Sequence, residues 1–177
     1  MPSEANAAPN PVVDAEADSL DTDDFPGVSE QVLSLRGYGE LVRSKAFDKK
    51  AVCIWLDRKG LDRRCAGQAA LTFALEHARQ GGKPTLLFRQ IPVHGHGGQV
   101  LYDDARAAGV TAIRYDAAPR FSAANGAVCV TVTDTALPDG RLEFFVDQLV
   151  VPAPVRPPDS HARLAELLRQ PLDLQGY

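Results

Sequence analysis

"VHGHGGQVLYDDARAAGVTAIRYD", residues 93–116, decides how this chain folds. A loop with two histidines and three glycines leads into "GGQVLYDDARAAG", where Val100, Leu101, Ala105 and Ala108 recur at the spacing of one buried helical face. Gly109 then supplies a left-handed cap, and "VTAIRYD" (110–116) reads as a strand. Working backwards, "KPTLLFRQI" (83–91) is the strand that feeds the loop. Ahead of it, "LDRRCAGQAALTFALEHARQGG" (61–82) is a helix capped by Asp62 and stopped by Gly81 and Gly82. Its apolar stripe runs through Ala66, Ala69, Ala70, Phe73 and His77, widened by Leu71, Leu75 and Ala78. "AVCIWL" (51–56) precedes that helix, a continuous apolar run suited to a strand buried on both faces.

Strands alternating with helices imply a parallel sheet with right-handed crossovers. Upstream, "QVLSL" (31–35) reads as a short strand and "YGELVRSKAF" (38–47) as a short helix, weakened by Gly37 and Gly39. Downstream the period changes to two. "AVCVTVTDTA" (127–136) alternates Val128, Val130 and Val132 against Cys129, Thr131 and Thr133. "PDG" (138–140) is a turn, and "RLEFFVDQLVV" (141–151) returns as the partner strand of a hairpin. "PAPVRPP" (152–158) is a stiff connector, and "DSHARLAELLRQ" (159–170) a short helix with Leu164, Leu167 and Leu168 on one face. The expected fold is therefore α/β: a Rossmann-like βαβαβ parallel sheet with an added β-hairpin and a short C-terminal helix.

Charge divides the chain in two. Residues 1–27 carry Glu4, Asp14, Glu16, Asp18, Asp21, Asp23 and Asp24 with no Lys or Arg, leaving 16 acids against 19 bases in the remainder. Rich in Pro, Ala and Asn and poor in apolar side chains, residues 1–27 are expected to form a disordered, solvated acidic tail. Residues 28–177 are expected to form one lobe. No apolar run approaches the ~20 residues that span a bilayer. No secretory signal is evident, and no basic stripe with interleaved aromatics suggests nucleic acid. Cys53, Cys65 and Cys129 are too few and too scattered for a disulfide framework, so a reducing, cytoplasmic setting is expected.

The chemistry-bearing residues gather around the loop quoted first. Gln90, Gly95, His96, Gly97 and Gly98 lie beyond the carboxyl end of a parallel strand, where open α/β sheets bind ligands and helix N-terminal amides receive phosphate. They are the candidate cofactor-binding residues; the alternative is a plain helix entrance with no ligand. His94 and His96 offer two metal ligands where zinc needs three or four, so no metal site is assigned. Cys65, beside Arg63 and Arg64 near a helix start, is a weak redox candidate; no other catalytic residue is assigned. Cys53 and Cys129 are expected to be packing residues, Trp55 a core residue, and His77 and His161 surface or boundary residues.

The segment "TLLFRQIPVHGHGGQVLYDDARAAGVTAIRYD" (85–116) resembles the A component of heterodisulfide reductase and its relatives. Leu101, Tyr102, Ala105, Arg106, Gly109, Val110, Ile113, Arg114 and Tyr115 stand where that family has "lYrkAreaGVrfiRy". The likeness continues through "VCVTVTDTAL", "VDQLVV" and "LAELLRQPLDLQGY", roughly from residue 30 to the end. It implies the smaller, NAD(P)H-domain-like lobe of a flavin and iron–sulfur oxidoreductase, one that helps to position the flavin. The pattern is truncated and degenerate. The family's FAD and [4Fe-4S] would need a G-x-G-x-x-G fingerprint, which these residues lack, and four cluster cysteines, of which Cys65 alone falls in place. "DQLVVPAPVRPP" (147–158) puts prolines where relatives have a flavin-touching glycine.

The expected function is that of an electron-transfer oxidoreductase component acting only with FAD- and [4Fe-4S]-bearing partner polypeptides, inactive in redox chemistry by itself. The alternative is a non-enzymatic interaction module, or a small nucleotide-binding domain that has lost its redox sites.

Overall fold

The computed structural model describes Phe25 and residues 27–57, 63–90, 93, 95–134, 140–153 and 166–169, with 63–65 described as backbone only. The chain divides into two compact units, Asp18–Pro154 and a second made of Met1–Ala17 with Val155–Tyr177. In the second unit the described residues are one helical turn at Glu166–Leu168 and Arg169. The remainder of the expected C-terminal helix, the "PDG" turn before Gly140 and the acidic residues before Phe25 lie outside the described residues.

The first unit opens with a 3-10 turn at Ser29–Gln31, then β1 (Val32–Ser34) and α1 (Leu35–Arg43). β2 (Ala51–Trp55), α2 (Arg63–Arg79), β3 (Lys83–Phe88), α3 (Gly95–Ala107) and β4 (Thr111–Arg114) follow. β5 (Ala117–Ala124), β6 (Ala127–Thr133), β7 (Arg141–Val146) and β8 (Gln148–Val151) complete it. A five-stranded sheet, in the order β1-β8-β2-β3-β4, is parallel throughout. The three strands read at 51–56, 83–91 and 110–116 thus lie side by side, and the Rossmann-like α/β reading holds. The second sheet, β5-β6-β7, is antiparallel.

Alternation along the parallel strands builds two cores. Val52, Ile54, Leu86, Phe88 and Val150 pack with Leu35, Tyr38, Val42, Ala70, Leu71, Phe73, Ala74 and Ala105 of the helices. Cys53, Leu87, Leu149 and Val151 point the other way, onto Val128, Val130, Val132 and Val146 of the antiparallel sheet. Three layers result: helices, parallel sheet, antiparallel sheet. Such double-sided burial explains why β2 reads as an unbroken apolar run.

Two features correct the expected hairpin. β5 makes it a three-stranded sheet. "AAPRFSAA" carries little alternation, and Pro119, which has no N–H to give, sits where the β5–β6 register shifts between Ala117 and Arg120. Moreover, "RLEFFVDQLVV" is two strands in different sheets. β7 pairs with β6, whereas β8 inserts between β1 and β2. Asp147 marks the crossing: its Oδ2 accepts from the Lys50 N–H at 3.1 Å and the Ala51 N–H at 2.9 Å, and its own N–H donates to Ala51 O at 2.8 Å. Asp147→Ala is expected to cost about 1 kcal/mol, the net worth of exposed charge-assisted hydrogen bonds. A lower urea midpoint at unchanged m-value would show it.

The glycines of α1 have a packing reason. A Cβ on Gly39 would lie 2.4 Å from the Phe73 ring, so glycine is what lets α2 approach α1 this closely. Ser34 caps the helix by accepting from the Gly37 N–H at 3.0 Å. Gly81 and Gly109 adopt φ of 88° and 100° and end α2 and α3 as expected. Phe25, numbered within the acidic segment, is 3% exposed and belongs to the second core.

His77, expected at the surface or boundary, is instead 3% exposed. Its Nε2 lies 3.0 Å from Lys49 O, a pure acceptor, so Nε2 carries the proton and Nδ1 accepts from the Tyr38 hydroxyl at 2.9 Å. α1, α2 and the approach to β2 meet at this one ring, with Phe47 edge-on at 5.1 Å. Burial holds the imidazole below its usual 6.5, partly offset by the bond to Lys49. The folded state therefore binds fewer protons than the unfolded one as pH falls below 6.5, and stability drains away on acidification. Between pH 7 and 5 the urea midpoint of the wild type should fall by more than that of His77→Leu, the limiting slope being about 1.4 kcal/mol per pH unit.

Candidate functional site

Because β2, β3 and β4 are adjacent and parallel, their carboxyl ends share one edge, the edge at which α/β sheets take ligands. β2 delivers Trp55, Leu56 and Asp57 there; β3 delivers Phe88, Arg89 and Gln90; β4 delivers Arg114, Tyr115 and Asp116. The Leu56 N–H donates to Leu87 O at 3.1 Å and the Tyr115 N–H to Phe88 O at 3.1 Å, so the ladder extends past the strand ends and fixes these side chains.

A hydrogen-bonded relay crosses the edge. The Trp55 indole N–H donates to the Tyr115 hydroxyl oxygen at 2.7 Å, and that hydroxyl donates to Asp57 Oδ2 at 2.9 Å. The same carboxylate oxygen accepts from the backbone N–H of Arg89. The Arg89 guanidinium lies 5.8 Å from the Tyr115 ring centroid. Burial, reinforced by Asp57, pushes the Tyr115 phenol well above its usual 10.0, so it remains a neutral donor at physiological pH. On the antiparallel-sheet side, Trp55 packs at 5.4 Å on Phe121 and at 6.2 Å edge-on to Phe25. Arg114 ties β4 to the end of β6 through Asp116 at 3.0 Å and Asp134 at 3.4 Å.

The residues named from sequence occupy the neighbouring part of this edge. Gln90 is exposed just beyond β3, and Gly95, His96, Gly97 and Gly98 form the first turn of α3. Gly95 needs its glycine for a φ of 67°, while the space outside Gly95 and Gly97 is open. A Cβ on Gly98 would make only ordinary contact with Val93 at 3.6 Å. His94 lies outside the described residues, and His96 is exposed. Cys65 falls in the first turn of α2, described there as backbone only. Trp55, expected in the core, is half-buried and belongs to the relay.

Asp57 and Arg89 were not singled out from sequence, and Tyr115 entered only through the family resemblance and not as a site residue. The available signal was positional. "WLD", "FRQ" and "RYD" each close a parallel strand with polar groups, on the edge where ligands of such sheets bind.

Cys53 and Cys129 are buried in strands of different sheets, and among the described residues no three His, Cys, Asp or Glu side chains gather as a metal site. At the end of β2, Asp57 Oδ2 accepts from the Arg89 backbone N–H and the Tyr115 hydroxyl, and the segment that follows, 58–62, lies outside the described residues.

No family model matches the chain, and no curated protein matches it. Solved structures do. The HOCl-induced flavoprotein disulfide reductase RclA from Escherichia coli is 17% identical over 75% of this chain and 27% of its own, with a TM-score of 0.52. Its Cu(II) complex is 17% identical over 85% of this chain and 31% of its own, with a TM-score of 0.51. This chain thus spans about three tenths of their length. At this identity the likeness is one of fold alone: the chain shares its α/β fold with part of that reductase.

Proposed function

We propose that this chain is an electron-transfer oxidoreductase component resembling part of the A component of heterodisulfide reductase, acting with partner polypeptides that carry FAD and [4Fe-4S] clusters. The observation that carries this reading is the three-layer fold, with β8 threaded between β1 and β2 after the antiparallel sheet. The motif behind the family resemblance falls on α3 and β4, where Ala105, Val110 and Tyr115 are buried and Gly109 turns the chain. In this role Gln90, Gly95, His96, Gly97 and Gly98 line the face offered to a partner's flavin, supplying shape and hydrogen bonds and no redox group. The proposed setting, a reducing cytoplasm, draws on the few and scattered cysteines. No described helix is long and apolar enough to cross a membrane.

A second reading, an interaction module without a redox role, draws on the same sheet edge, whose donors are already occupied by Asp57.

Anaerobic purification from the source, followed by an absorption spectrum and assays for iron and flavin, tests the first reading. The expected result is a colourless isolated chain that elutes, before dissociation, with a polypeptide bearing flavin or iron–sulfur absorption. Flavin bound to the isolated chain, or elution with a colourless partner alone, would contradict it.

A further inference from the structure

We propose that Asp57 is a built-in anion: its carboxylate occupies the donor set with which this sheet edge would otherwise receive the phosphate or carboxylate of a ligand. The inference rests on the fold and the hydrogen bonds alone, so it stands apart from the partner role proposed above.

Two donors from different strands converge on one oxygen. The Arg89 backbone N–H and the Tyr115 O–H both point at Asp57 Oδ2. Tyr115 has a single hydroxyl proton, and because the Trp55 N–H claims its lone pair at 2.7 Å, that proton is directed at the carboxylate. The Arg89 guanidinium nearby adds positive potential. Such a grouping of a backbone N–H, a phenol and an arginine, at the carboxyl end of a central parallel strand, is a site for an anion. Here the anion is part of the chain. A second anion about 4 Å away would lose roughly a thousandfold in affinity at an effective dielectric of ~20, so the edge stays closed to free phosphate.

Trp55 is the only tryptophan, so its indole N–H gives one reporter resonance inside the relay. Inorganic phosphate and formate are titrated into the wild type and Asp57→Ala, with chloride as the ionic-strength control. In the wild type the indole resonance should not move with either anion. In Asp57→Ala it should be displaced at the start and return toward its wild-type position, saturably, as formate or phosphate refills the site. A saturable response of the wild type to phosphate would overturn the proposal. So would a folded Asp57→Ala that ignores both anions. Should Asp57→Ala fail to fold, Asp57→Asn keeps the shape and removes the charge. Its indole resonance should shift because the phenol's partner has changed, and an unmoved resonance would equally overturn the proposal.

Discussion

Gly82→Ala is expected to destabilise the protein by about 3 kcal/mol, although it adds one methyl group beside a half-buried turn. The new Cβ would stand 2.0 Å from Nε2 of His77, far inside any tolerable contact. The ring has nowhere to go. It is held by the Tyr38 hydroxyl on one nitrogen and Lys49 O on the other, and Phe47 and Tyr38 pack edge-on at 5.1 and 5.8 Å. Displacing it strands a buried phenol and a backbone carbonyl together, and each unsatisfied group costs about 1–3 kcal/mol. Because the damage passes through one ring, it is strongly non-additive. His77→Ala in the Gly82→Ala background should cost little further, giving a coupling energy of about 1–3 kcal/mol in a double-mutant cycle. Additive effects would mean that the clash is relieved elsewhere.

Leu149→Ala is expected to cost about 3–5 kcal/mol, the range for deleting a fully buried leucine where the surroundings cannot collapse. Leu149 has no exposed surface and sits in register with Val32 on one side and Cys53 on the other, facing the antiparallel sheet. Its neighbour Val150, equally buried, belongs to the helix-side core. Val150→Ala should therefore also destabilise, by about 2 kcal/mol for the smaller side chain. Consecutive residues that are both costly identify a strand covered on both faces; an exposed hairpin arm would show one large and one negligible value. Urea melts of the two variants read this directly.

The order of elements was legible wherever the physics is local. Apolar runs in β2 and β3, the existence of α3 and the left-handed glycines at 81 and 109 each declare themselves within a few residues. The face of α3 was only partly read: Ala105 is buried, whereas Val100, expected inward, is 46% exposed. What escaped depends on distant partners. In "RLEFFVDQLVV", Asp147 looks like one more polar position of an alternating strand; only the waiting N–H groups of Lys50 and Ala51, about a hundred residues earlier, make it the point where the chain changes sheet. β5 was hidden because Pro119 and its alanines carry no period, and the β6 edge supplies the order instead. His77 was misjudged because a histidine on an apolar stripe is buried only if two other elements bring it partners.

The candidate site followed the same rule. Its place, the carboxyl edge of the sheet, was readable from strand–helix order, and so was the glycine-rich turn at 95–98. The relay was not, since Trp55 and Asp57 reach Tyr115 across separations of 60 and 58 residues. Neither a spacing nor a motif encodes that meeting; the parallel pairing of β2, β3 and β4 creates it.

The topology underlies every step from sheet edge to function, and the position of β8 is its least local feature. Cross-strand nuclear Overhauser contacts on isotopically labelled protein measure it most directly. The account predicts contacts that place Val150 between Leu33 and Ile54, with parallel register on both sides. Contacts that instead continue Gln148–Val151 along β6 toward Asn125, as one long hairpin, would contradict it.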